Sequence, residues 1–111
     1  MIVQTYKSSG GKDYIVEYIE KLTPNEQSES HYIIERLRRD GIDYLESLIT
    51  RQIDRKLWEI KFWRHNRFFY VLIDQNELYI LHACKKQKFK AEKKDIDLAK
   101  HRMKEVHRDN R

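Results

Sequence analysis

The spacing of apolar residues changes period along this chain, and each change marks a new kind of element. Ile2-Val3-Gln4-Thr5-Tyr6 is a run of β-formers ended by Ser8-Ser9-Gly10-Gly11, which predicts a short first strand and a break. From Asp13 the apolar residues fall at Tyr14, Ile15, Tyr18, Ile19 and Leu22, one stripe of an amphipathic helix. Thr23-Pro24-Asn25-Glu26 opens a second helix, with Thr23 as cap, Pro24 at the first helical position and Glu26 completing a capping box. Ile33, Ile34 and Leu37 face inward. Arg36, Arg38 and Arg39 crowd the last turn, where the helix dipole favours cations, and Gly41 is the stop. Residues 42–50 continue as a partly helical connection through Ile42, Leu45, Leu48 and Ile49.

The period then becomes two. Trp58, Ile60 and Phe62 alternate with Glu59 and Lys61, the pattern of a half-buried strand over residues 56–62. Arg64-His65-Asn66 is a turn. Arg67 to Ile73 is apolar on both faces, as a central strand would be. Asp74-Gln75-Asn76 is a second turn and Glu77 to Cys84 a third strand. Three strands joined by short turns predict an antiparallel meander. Lys85 to Lys94 is a Lys-rich loop, and a last helix from about Asp95 to Val106 places Ile96, Ala99, Met103 and Val106 inward. The order β-αα-βββ-α is an α+β fold: an N-terminal helical hairpin on a small antiparallel sheet, with a C-terminal helix. No repeat or linker divides residues 1–111, so one domain is expected.

Composition removes whole classes. The chain has 111 residues, room for one core, and its thirteen aromatics with many Ile and Leu argue against disorder. No apolar run reaches the ~18–20 residues of a membrane span. The N-terminus lacks the basic head and apolar stretch of a signal peptide. Cys84 is the only cysteine, which excludes an internal disulfide and a Cys-based zinc cluster. A cytosolic globular domain is the expectation.

Charge adds a direction. The net +5 divides unevenly: residues 1–50 carry −3, residues 51–84 carry +2 and residues 85–111 carry +6. A basic end on a small domain points to a phosphate-rich partner. Three features carry candidate chemistry. Glu59 and Lys61 project from one face of their strand, either as a working surface on the open side of the sheet or as an ordinary surface salt bridge. Arg67 opens the next strand across a short turn from Lys61, and two cations brought close call for a shared anion or a carboxylate such as Glu59. Lys85, Lys86, Lys88, Lys90, Lys93 and Lys94 fall within ten residues around Phe89. That loop could grip phosphates while Phe89 stacks on a base or packs into the core. His82 ends the third strand beside this loop and is a candidate acid or base, although a lone strand histidine is more often structural. The other histidines have no metal-ligand spacing, so no metal is expected. Basic neighbours could lower the Cys84 pKa. No triad, P-loop or dinucleotide fingerprint is present.

These features together resemble the RelE/ParE toxin superfamily of bacterial toxin–antitoxin modules, and within it the HigB-like, phage-associated branch. The branch's run of Leu, aromatic, Glu, aliphatic and Arg is matched by Leu57-Trp58-Glu59-Ile60-Lys61. Its Arg-x-hydrophobic-Tyr is matched by Arg67-Phe68-Phe69-Tyr70. Its strand-ending Lys pair is matched in Leu81-His82-Ala83-Cys84-Lys85-Lys86, and its last helix by Ile96 with Ala99. The chain departs from the pattern at Lys61, where Arg is usual, and at Ala83-Cys84, where Gly-Phe is common. It also lacks the Pro after the basic loop and the catalytic Tyr that some relatives carry beyond the Lys pair.

The resemblance implies a metal-independent endoribonuclease, an mRNA interferase acting on the translating ribosome without a cofactor. The RNA 2′-hydroxyl attacks the adjacent phosphate and expels the 5′-oxygen, leaving a 2′,3′-cyclic phosphate. Lys61, Arg67 and Lys86 would form the cationic cradle. Glu59 or Lys61 would be the base, and Lys85 or His82 the acid. Lys85, Lys88, Phe89 and Lys90 would hold RNA. The partners it implies are a helix-turn-helix (HigA-like) antitoxin, mRNA and the ribosome, and operator DNA through the antitoxin, with no membrane. Two other readings stand beside it. One is a ParE-like gyrase poison, a branch that generally lacks these basic residues. The other is a non-catalytic RNA- or ribosome-binding module, which explains the charge but not the Glu59-x-Lys61 pair.

Overall fold

Local signals set the helix ends. Asp13 caps α1 (Tyr14–Glu20), its carboxylate accepting from the backbone N–H of Ile15 and of Val16 at 3.0 Å. Thr23 caps α2 (Pro24–Asp40), and Gly41 ends it with a left-handed φ of 65°. A short α3 (Ile42–Ser47) follows. The computed structural model describes residues 1–86 and 93–109.

The strands are β1 (Ile2–Thr5), β2 (Ile49–Asp54), β3 (Leu57–Phe62), β4 (Asn66–Asp74) and β5 (Glu77–Lys85), with α4 (Lys93–Asp109) closing the chain. They form one sheet in the order β1-β5-β4-β3-β2. The meander β3-β4-β5 stands as the spacing predicts, with β4 central, and the fold is α+β.

Two details of the expected fold are corrected. The sheet is mixed, because β1 runs parallel to β5, with Ile2 opposite Glu77 and Thr5 opposite Ile80. Helices separate β1 from the rest of the sheet, so no hairpin turn fixes its direction. Second, the connection expected over residues 42–50 is helical only to Ser47. Leu48 is extended, and residues 49–54 form an edge strand antiparallel to β3. The element order is therefore β-ααα-ββββ-α. Ile49 is 68% exposed and Ile53 alone of this strand joins a core, so β2 lacks the buried alternation that marks β3.

Both faces of the sheet are covered. On one, Val3, Ile60, Phe62, Phe68, Tyr70, Leu78 and Ile80 pack with Ile15, Ile19, Ile33, Ile34 and Leu37 of α1 and α2. On the other, Leu57, Phe69, Val71 and Leu81 pack with Ala99 and Val106 of α4, flanked by the half-buried Ile96 and Met103. The side of β3 bearing Glu59 is therefore not an open surface. It lies on the α4 side of the sheet, and Glu59 is fully buried.

Candidate functional site

Register assembles the site on the α4 side. One row across the strands reads Arg51, Glu59, Phe69, His82, and the next reads Ile49, Lys61, Arg67, Cys84. The rows depend on a bulge in β5. Phe69 pairs with His82 and Tyr70 with Ile80, which leaves Leu81 as the extra residue. Leu81 and His82 thus share the α4 side, and every later residue of β5 is turned over. Without the bulge, Ala83 and Lys85 would take the places that Cys84 and Lys86 occupy.

Strand alternation separates the adjacent lysines, and the bulge decides which of them faces α4. Lys86 is 5% exposed and feels the charges of Glu59, Arg51, Arg67 and Lys61. Burial lowers its pKa, an effect that Glu59 opposes and the three cations reinforce. Lys85 joins the opposite face. Its Nζ lies 3.5 Å from both carboxylate oxygens of Glu26, a residue at the start of α2.

Glu59 is the centre of the first cluster. Its Oε1 is 3.1 Å from Arg51 Nε and 3.9 Å from Arg67 Nε. Among the described residues neither Glu59 oxygen finds a hydrogen-bond partner, nor does Arg67 Nε. The Arg67 guanidinium is anchored elsewhere, donating to the carbonyls of Arg64 at 3.1 Å and Asn66 at 3.0 Å. Lys61 sits directly opposite Arg67, as the turn length suggests, and is half-buried. Arg51, with 42% of its side chain exposed, and Lys61 form the accessible edge. One carboxylate surrounded by four cations leaves a net positive site suited to an anion.

Sequence reasoning missed Arg51, because residues 51–55 were assigned to no element. The signal is faint: Ile49, Thr50 and Ile53 are β-formers just before the Asp54-Arg55-Lys56 turn, with no buried alternation to mark a strand.

His82 is not brought to this cluster. Phe69 lies between His82 and Glu59 in the row, stacked on the imidazole at 5.8 Å between ring centres. His82 Nε2 pairs with Asp95 Oδ1 at 2.8 Å under α4, and Arg102 approaches Nδ1 at 3.5 Å. Burial pushes the imidazole pKa down, against the pull of Asp95. For Cys84, burial outweighs the basic neighbours and raises the thiol to about 12, so it is no low-pKa nucleophile. Ligand atoms of His82, Cys84 and Asp95 lie within 4.8 Å of one another, a grouping that spacing in the sequence cannot reveal. The His82–Asp95 bond already occupies two of those atoms, and Arg67, Lys86 and Arg102 surround the group with positive charge. We read it as a hydrogen-bonded support for α4. Lys88, Phe89 and Lys90 lie outside the described residues.

A second polar cluster lies on the helical-hairpin side. Glu26, 6% exposed, accepts from Asn66 Nδ2 at 2.6 Å and from the Thr23 hydroxyl at 2.9 Å, and the Tyr18 hydroxyl donates to Asn66 Oδ1. The Asn66 amide holds the Glu26 carboxyl below its ordinary value. The capping box is thus half formed: the Glu26 N–H reaches Thr23 Oγ1 at 3.3 Å, while the carboxylate turns inward to Asn66.

No helix among the described residues is long and apolar enough to cross a membrane. No curated protein matches the chain. A family model does, over residues 17–104, which spans every element from α1 into α4. The chain belongs to the family described as phage derived protein Gp49-like (DUF891), a RelE-toxin-like family of toxin–antitoxin systems.

Proposed function

We propose that the protein is the toxin of a type II toxin–antitoxin pair, of the HigB-like kind, and that it acts as a metal-independent endoribonuclease on mRNA at the ribosome. The observation that carries this reading is the buried Glu59 without a hydrogen bond, held among Arg51, Lys61, Arg67 and Lys86. Cleavage of RNA needs a base for the 2′-hydroxyl proton, cations around the phosphorane and an acid for the leaving oxygen. Glu59 takes the 2′-hydroxyl proton as the 2′-oxygen bonds to phosphorus. Arg51, Lys61 and Arg67 hold the phosphate oxygens. Lys86, whose pKa burial lowers, gives a proton to the 5′-oxygen as the P–O5′ bond breaks. The products are a 2′,3′-cyclic phosphate and a 5′-hydroxyl. His82 and Lys85 lie apart from this cluster, which favours Lys86 for the acid role.

A helix-turn-helix (HigA-like) antitoxin that silences the toxin and joins it at operator DNA completes the reading. An acidic segment of that partner would complement the positive site. The cytoplasm is where such a pair would meet its ribosome.

The test is induction in bacterial cells with mRNA 5′ ends mapped within minutes. Wild type is compared with Lys61→Ala and with Arg67→Ala/Lys86→Ala, each first checked for folding by thermal melting. New ends confined to translated regions are expected in wild type and absent in the double variant. Loss of one cradle cation should lower cleavage about 10²–10³-fold if it acts as an oxyanion-type donor. Growth arrest with intact mRNA would favour a gyrase poison instead, and neither arrest nor cleavage would leave a binding module.

A further inference from the structure

We propose that the cleft beside the β3–β4 turn is a nucleobase subsite, with the Trp63 indole as its stacking platform. The inference rests on the reading of the protein as an RNA-acting toxin and adds a base-contacting residue to it.

Nothing among the described residues requires a tryptophan at position 63. Trp63 is 49% exposed, whereas Trp58 packs against the core. Its φ is 43° and that of Arg64 is 64°, two successive left-handed residues. Positive φ is uncommon outside Gly, Asn and Asp, and a bulky side chain there is strained. Burial and turn preference both argue against an indole at this position. Strained residues of this kind cluster at sites that contact ligands.

The surroundings match a base. Trp63, Arg64, His65, Glu26 and Lys85 line a cleft of about 320 Å³, at the small end of the ~300–1,000 Å³ range of ligand sites. Its polar atoms offer both signs of hydrogen bond. Half of the Lys85 side chain (51%) is exposed and its Nζ is held only at 3.5 Å by Glu26, so it can donate to a base acceptor. His65 Nδ1 faces the Lys86 carbonyl at 3.2 Å, which makes Nδ1 the donor, so in the neutral ring Nε2 accepts. An aromatic face, a donor, an acceptor and a guanidinium in one basic cleft are what an unpaired base requires. A protein partner could also bury a tryptophan, but the polar, cationic lining favours the base.

The cleft and the Glu59 cluster are joined through the backbone. Lys61 opposite Arg67 and Phe62 opposite Asn66 are the last pairs before the turn. Arg67 donates to the Arg64 carbonyl, and the Lys86 N–H donates to the His65 carbonyl at 2.7 Å. The two sites thus share the β3–β4 turn at one end of the sheet.

The test separates base recognition from cleavage. Short 2′-O-methyl oligoribonucleotides, which lack the attacking hydroxyl, are titrated against wild type, Trp63→Phe and Trp63→Leu while indole emission and anisotropy are followed. An abasic oligomer of the same length is the control. Base-bearing oligomers should quench the wild-type indole and bind more tightly than the abasic chain. Trp63→Leu should lose roughly 10- to 100-fold in affinity and Trp63→Phe less, with unchanged melting temperatures. Equal binding of abasic and base-bearing oligomers, or wild-type affinity in Trp63→Leu, overturns the subsite, as does the absence of any binding. Cleavage in cells without Trp63-dependent binding removes the subsite alone. Trp63-dependent binding without cleavage keeps the subsite and removes the nuclease.

Discussion

Beneath α4, His82 has exchanged water for one carboxylate, Asp95 at 2.8 Å, one aromatic face, Phe69, and one nearby cation, Arg102. Burial is the largest influence on it and lowers its pKa from the ordinary 6.5. The folded state therefore binds a proton less readily than the unfolded state. The stability this contributes is fully present above about pH 6.5 and is lost as the pH falls toward the folded value. Melting temperature should fall between pH 7 and pH 5 in wild type and stay flatter in His82→Gln. A parallel decline in both proteins would show that His82 does not set it. Glu26 belongs to a different window: its carboxyl is held below the ordinary 4.5, so its contribution is present above 4.5 and fades only at lower pH.

Individual elements differ in how much of their position is written locally. The start of α2 is written in four residues, and its cap should behave accordingly. Thr23→Ala removes both the acceptor for the Glu26 N–H and the hydroxyl donated to the Glu26 carboxylate. A loss of about 0.5–2 kcal/mol in chemical denaturation is expected. A change near zero would mean that Asn66 and Lys85 hold Glu26 without the cap. The α1, α2 and α4 helices and the β3-β4-β5 meander were legible because each buries a stripe, an alternation or, in β4, a continuous apolar run. β2 was not, because an edge strand with Ile49 in solvent buries too little to leave a pattern. The parallel placement of β1 was not legible either, since direction across a long connection is a tertiary choice. At the site, the opposition of Lys61 and Arg67 followed from turn length. Which of Lys85 and Lys86 joins the cluster did not, because one inserted residue, Leu81, decides it. Asp95 reaches His82 only because α4 crosses the sheet, so spacing along the chain could not foretell their bond.

Across the whole molecule, the uneven charge seen along the chain becomes a spatial arrangement at one end of the sheet. Arg51, Lys61, Arg67 and Lys86 gather around Glu59 on one face, while Arg64, His65 and Lys85 lie beside Trp63 at the turn and on the other. Cations and an indole contribute to RNA binding in ways that salt separates. Each neutralised phosphate of a single strand releases counterions and adds about 0.7 to the slope of log affinity against log salt. Stacking adds affinity with no such slope. If about four phosphates are engaged, the slope for a short single-stranded RNA should be about −3. Lys61→Ala and Arg64→Ala should each make it shallower by about 0.7. Trp63→Leu should lower the affinity at every salt concentration and leave the slope unchanged. Anisotropy titrations between 50 and 300 mM salt, roughly the span over which such slopes are read, distinguish the two kinds of contact. A slope near zero in wild type would mean that the positive end of the sheet does not bind RNA phosphates, and the cluster around Glu59 would then have to be a structural ion network.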